Sequence, residues 1–137
     1  MGDPAADVAR FRAYMAAFNA RDYDALAGYY AEDIVLVIGN GTELRGRRAI
    51  VEFYAAVNGA TTRTIEIVEA LSDGILLSAE LRSEFLAVAD APDFTSGPMR
   101  KGDRLAINSF AFYDLAGDRY ARIRAATFRR NWMRASV

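Results

Sequence analysis

Histidine and cysteine are absent from this chain, and Lys101 is its one lysine. That removes Ser-His and Cys-His nucleophile pairs, thiolate chemistry and His-ligated zinc or iron. No G-x-x-x-x-G-K-[ST], G-x-G-x-x-G or G-x-S-x-G occurs either, so phosphate-cradling loops and nucleophile elbows are excluded. Acid–base work is left to Asp, Glu, Lys101 and the 7 tyrosines, each needing a perturbed pKa to act near neutrality. No cofactor and no metal is expected.

The tyrosines hold the most telling positions. Tyr14 lies three residues past Phe11, on a stripe formed by Val8, Phe11, Met15 and Phe18. Tyr30 follows Tyr23 and Leu26 on one face, and Tyr54 stands with Ile50, Phe53 and Val57. Residues 29–41, YYAEDIVLVIGNG, run from paired tyrosines straight into an apolar strand; Tyr30 is expected to look inward and Tyr29 to pack on the other side. An inward phenol is either a core aromatic whose hydroxyl finds an acceptor or a donor facing a pocket, and the residues leave both open. Asn108 and Ser109 are adjacent, so one of them is expected to face inward amid apolar neighbours, either as a ligand handle or satisfied by a neighbouring strand.

The charged candidates read mostly as surface. Glu80, Arg82 and Glu84 alternate on one face, as expected of an outer surface with cross-strand ion pairs; turned inward, the same face would pair a buried acid with an arginine to activate water. Asp103 and Arg104 are adjacent, should diverge, and make a poor catalytic pair. Arg122 and Arg124 share a face, with Arg124 either an outer charge or a ligand contact. The tail FRRNWMRASV brings Trp132 among arginines, to cap a cavity mouth or meet a partner subunit. Such a tail invites a nucleic-acid reading, but a net charge of −1 and no other basic face argue against one.

The elements that must position these residues follow from periodicity. Asp3-Pro4 caps a first helix, Asp22 caps a second, and a third spans 47–57. Ile34–Ile38 is a buried strand, followed by a loop over 39–46. After Asn58-Gly59 the period becomes that of strands: 63–71 and 75–87 about the turn Ser72-Asp73-Gly74, then 104–113 and 120–128. Residues 90–103, DAPDFTSGPMRKGD, form a long loop, read either as a lid that brings Asp90, Asp93 or Lys101 to a ligand or as a surface hairpin. Helices first and strands after describe one α+β domain, 1–137, whose curved, mainly antiparallel sheet is covered by three N-terminal helices. Such a cone-shaped half-barrel leaves a cavity for a small, mostly apolar ligand. With no apolar run of membrane length and no apolar leader, a cytoplasmic protein is expected.

The stretches NARDYDALAGYYAEDIVL, RGRRAIVEFY and GPMRKGDRLAINSFAFYDLAGDRYARIRA resemble the nuclear-transport-factor-2-like superfamily, closest to its polyketide-cyclase-like (SnoaL-like) and ketosteroid-isomerase-like branch. Ketosteroid isomerases carry three hydrogen-bonded tyrosines on the three helices, and the resemblance puts Tyr14, Tyr30 and Tyr54 in those places. It implies Tyr14 as the catalytic oxyanion donor, strengthened by the phenols behind it. Tyr30, Tyr54, Phe53, Asn108, Ser109, Arg124 and Trp132 complete the expected ligand-binding set, and a homodimer is the family expectation. The departures are equally specific. The isomerase's catalytic aspartate falls where this chain reads Ile38-Gly39, and its second acid corresponds to Ser109, or Asn108 in a register one residue away. Steroid isomerisation is therefore not expected. The base is left open among Asp90, Asp93, Glu43 and the substrate itself. Isomerisation, cyclisation or hydration of an apolar carbonyl or phenolic compound is one expectation; a non-catalytic binding or dimerisation module on the same scaffold is the other.

Overall fold

A computed structural model describes residues 2–38 and 41–136. Gly39, at the strand end discussed above, lies outside the described residues with Met1, Asn40 and Val137. Three helices precede most of the sheet: α1 (Pro4–Asn19), α2 (Tyr23–Tyr29) and α3 (Arg47–Ala60). The strands are β1 (Tyr30–Val37), β2 (Glu43–Arg45), β3 (Thr61–Ser72), β4 (Leu76–Ala87), β5 (Arg104–Ala116) and β6 (Arg119–Met133). They form one unclosed sheet in the order β2-β1-β6-β5-β4-β3. All neighbours are antiparallel except β1 and β6, which run parallel. The architecture is the α+β cone, a curved sheet covered by helices.

Local chemistry sets the helix boundaries. Asp3 and Asp22 accept from the backbone N–H groups of Ala5 and Ala25, capping α1 and α2. At α3 no side chain caps; Gly46, at φ +90°, turns the chain out of β2, and its N–H donates to the Ile34 carbonyl at 2.8 Å. The second helix stops one residue short of the expected stripe, so Tyr30 opens β1 rather than closing α2. The Arg47 guanidinium then donates to the Tyr30 carbonyl at 2.8 Å, fixing that junction against α3.

The helices are laced to the sheet by side-chain amides and carboxylates. Asn19 acts as a surrogate strand: its Nδ2 donates to the Ile65 carbonyl at 2.9 Å and its Oδ1 accepts from the Ile65 N–H at 2.8 Å. The hydroxyl of Ser72 donates to buried Asp7 at 2.7 Å, anchoring the start of α1 to the β3–β4 hairpin. One cluster of Phe11, Phe18, Ile34, Ile50, Leu77 and their neighbours fills the space between α1, α3 and the sheet. A smaller one, with Phe85, Met99 and Leu105, lies under residues 88–103. A bridge between Ala91 and Met99 folds that segment on itself, and the Val88 N–H ties its start to the Ala60 carbonyl at 2.9 Å. Among the described residues no helix is long and apolar enough to cross a membrane.

Candidate functional site

The concave side of the sheet, closed by α1 and α3, encloses a cavity of about 230 Å³. Tyr14 and Phe18 of α1 and Phe53 and Tyr54 of α3 form the helical wall. The strands contribute Arg63, Ser109, Tyr113, Thr127 and Arg130, and the loop after β4 adds Thr95 and Ser96. Alternation explains most of these choices. On β5, Ile107, Ser109, Ala111 and Tyr113 face in, and Asn108, Phe110 and Phe112 face out.

Tyr14 is 1% exposed, and its hydroxyl lies 2.8 Å from the Tyr30 hydroxyl. Tyr30 sits behind it, off the cavity wall. Aromatic rings enclose the pair: Tyr29 at 5.3 Å, Tyr120 at 5.2 Å and Tyr113 at 6.3 Å from the Tyr14 ring. Both tyrosines of the 29–30 pair therefore touch Tyr14, and Tyr29 also stacks on Tyr120 at 6.4 Å, rather than packing away from it. Burial pushes the Tyr14 and Tyr30 phenols well above the usual tyrosine pKa, with neighbouring phenols adding to it. Both stay protonated donors at neutral pH and neither can serve as a base.

The third member of the expected tyrosine network stands apart. Tyr54 lines the cavity but makes no hydrogen bond to Tyr14 or Tyr30; its ring meets Phe18 edge-on at 4.8 Å. Burial raises its pKa, and the nearby charge of Arg63 opposes the rise. Burial likewise raises Tyr113 well above its ordinary value, again opposed by Arg63.

Arg63 was not singled out by sequence reasoning, and it is the most consequential polar group on the wall. Its Nη2 donates to Ser83 Oγ at 3.0 Å, and its guanidinium lies 5.4 Å from the Phe18 ring and 5.0 Å from the Phe85 ring. The Nε is buried and has no hydrogen-bond partner, and no described carboxylate pairs with the side chain. Desolvation lowers its pKa, partly offset by the surrounding phenols. A signal for it was present: in β3, Arg63 is in phase with Ile65 and Ile67; it stands opposite Phe85, with Ser83, opposite Ile65, diagonal to it on the inward positions of β4. Arg130 had no such signal. A bulge between Asn108 and Ser109 leaves Phe128 unpaired on β6, so the inward series 123, 125, 127 continues at 130 instead of 129.

The other expected ligand contacts lie elsewhere. Asn108 faces outward, beside Arg82 and Arg129 in register. Arg124 is ion-paired with Asp114 at 3.0 Å and lies over Phe112, also on the outer face. Trp132 packs in the smaller cluster, against Gly97, with the Arg134 guanidinium 3.9 Å from its ring; it fastens the 88–103 segment to β6. None of the carboxylates considered as a base reaches the cavity wall. Asp90 accepts from the Lys101 backbone N–H, Asp93 lines a separate groove, and Glu43 is exposed and bridged to Arg45 at 2.7 Å. The described residues lining the cavity include no Asp or Glu. Nor do the described residues contain a group of three or more side chains suited to a metal.

Residues 11–123 match the family described as the SnoaL-like domain. A solved candidate polyketide cyclase from Xanthomonas campestris pv. campestris is similar, with TM-score 0.75, 23% identity and 88% coverage of each chain. So is a Mycobacterium tuberculosis LEH-like epoxide hydrolase, with TM-score 0.73, 14% identity, and 91% of this chain covered against 84% of that one. A candidate ketosteroid isomerase from Kribbella flavida gives TM-score 0.67 at 16% identity, over 94% of this chain and 82% of its own. No curated protein sequence matches the chain.

Proposed function

The chain belongs to the SnoaL-like domain family, and from that membership we propose that its cavity holds a small, mostly apolar carbonyl or phenolic compound whose oxygen accepts a hydrogen bond from Tyr14. The observation that carries this reading is the 2.8 Å contact between the Tyr14 and Tyr30 hydroxyls at the cavity wall. In the proposed arrangement Tyr30 donates to Tyr14 and leaves the Tyr14 proton for the ligand. Negative charge growing on the ligand oxygen then meets a donor already oriented in a water-poor site. Isomerisation and cyclisation through an enolate or phenolate are the reactions such a donor accelerates. The structural neighbours named as a cyclase, an epoxide hydrolase and a ketosteroid isomerase make a small-molecule enzyme the leading assignment. Because no described carboxylate lies on the wall, the proton acceptor in this proposal is a basic group of the substrate or a bound water.

That missing carboxylate also favours the second reading, a non-catalytic binding module that keeps the donor and lacks the base. A 2-naphthol whose absorbance reports its ionisation tests the donor in either case. Native protein should lower the apparent pKa of bound naphthol by about one to two units, the worth of one charge-assisted hydrogen bond. Tyr14→Phe should bind it without that shift. Equal behaviour of the two proteins would reassign the tyrosines to the core. We further propose that two copies meet through the outer face of the sheet, where Phe110, Phe112 and Phe128 are 53%, 45% and 46% exposed.

A further inference from the structure

We propose that the cavity selects ligands bearing a negative charge, with the Arg63 guanidinium as the group that binds a carboxylate of the substrate. The inference rests on the reading of the cavity as a ligand site and adds to it the substrate's class: a compact, largely apolar organic acid.

Three observations carry it. First, Arg63 is an incompletely used donor. A guanidinium offers five N–H groups; here Nη2 serves Ser83 at 3.0 Å, and the buried Nε has no partner. The hydrogen-bonding capacity of the guanidinium is therefore not used up within the protein. Second, the charge is not neutralised from within. The wall carries two arginines, Arg63 and the exposed Arg130, and no carboxylate among its described residues. The side chains nearest Arg63 in electrostatic terms are Tyr54, Tyr113, Tyr14 and Tyr30, all phenols that burial keeps protonated. An enclosed positive site with neutral donors around it is complementary to an anion. Third, the guanidinium is held in place before any ligand arrives. Phe18 and Phe85 flank it at 5.4 and 5.0 Å, and Ser83 fixes one edge, so little side-chain freedom remains to be lost on binding. Its planar fork matches a carboxylate in two-point contact, which a lysine would not.

The geometry separates this group from the Tyr14 donor. Phe18 packs against Tyr14 on one side and beneath Arg63 on another, so the two polar groups address different parts of a ligand. A compound with a carboxylate at one end and a carbonyl or phenol at the other satisfies both, while its apolar body lies against Phe53, Ile65 and Ile107.

The test compares 2-naphthoate with 2-naphthamide, which has a similar shape and no charge, by titration calorimetry at pH 7. Native protein should bind the naphthoate about ten- to a hundredfold more tightly, the range for a hydrogen-bonded charge. Arg63→Met, which keeps the stem length, should lose the preference, binding naphthoate no more tightly than the amide. Arg63→Lys should keep part of it. A native protein that binds the amide, or a naphthol, yet shows no preference for naphthoate would overturn the carboxylate assignment alone. A preference that survives in Arg63→Met would overturn it as well. If native protein binds none of the three, the cavity is not a ligand site of this kind and the proposed function falls with it. Should the methionine variant not fold, Arg130→Met decides between the two arginines of the wall: a preference that it keeps assigns the carboxylate to Arg63, and one that it loses overturns that assignment.

Discussion

At the scale of single residues, the buried phenols link the cavity to pH. Tyr14, Tyr30, Tyr54 and Tyr113 all have pKa values raised chiefly by burial. A group whose folded pKa exceeds its unfolded value supports the fold fully below the unfolded pKa and less as pH rises past it. The unfolded value of tyrosine is about 10. Stability should therefore hold up to about pH 10 and fall steeply above it, with tyrosinate absorbance rising in step with loss of the far-ultraviolet circular dichroism. Separate titration of these phenols in a chain that stays folded would show them reachable by hydroxide. At this scale helical stripes put Tyr14, Phe53 and Tyr54 on inward faces, where the structure has them, while strand phase left Asn108 and Ser109 open and the structure turns Ser109 inward. Sequence reading passed over Arg63 because a lone arginine among Thr and Glu in TTRTIEI looks like a solvated charge. Only its parity with Ile65 and Ile67 says otherwise.

Elements position these side chains through a few specific contacts, and Asn19 is the clearest. Its amide makes a complete strand-like pair with Ile65, two residues from Arg63 on the same face of β3. Asn19→Ala would leave both backbone groups of Ile65 without that partner. The expected loss is about 2 kcal/mol in urea denaturation, with weakened naphthoate binding as β3 shifts. A loss under about 0.5 kcal/mol, the range of an ordinary surface change, would mean that water replaces the amide there. Helix caps and the turn at 72–74 were legible because Asp, Pro, Ser and Gly have fixed local roles. Short β2 was hidden inside a glycine-rich loop, and the bulge at Phe128 depends on a partner strand that a single segment cannot reveal. That bulge is why Arg130, rather than Arg129, lines the cavity.

For the molecule as a whole, the convex side of the sheet is the complement of the cavity. Phe110 and Phe128 stack there at 4.5 Å, with Phe112 beside them and the ion pairs of Glu84 with Arg82 and Arg104 on the same face. Sedimentation should give a species of twice the 15.1 kDa chain, and Phe110→Glu with Phe128→Glu should return it to one chain. A native monomer would leave that aromatic face without the partner proposed for it. The cone itself was legible from order alone, helices followed by long strands; what order could not show is that β1 is inserted beside the last strand. Tyr30 pairs with Tyr120, and Val35 to Val37 with Arg122 to Arg124, across about 90 residues of chain. During synthesis, the first helices and β1 leave the ribosome long before their neighbour exists, and contacts of such separation form late. Any chain stopped short of β6 has half a floor and no chamber. A ligand held in this cavity as proposed would consequently recognise only a chain that includes a docked β6, and its binding would report that this strand is in place.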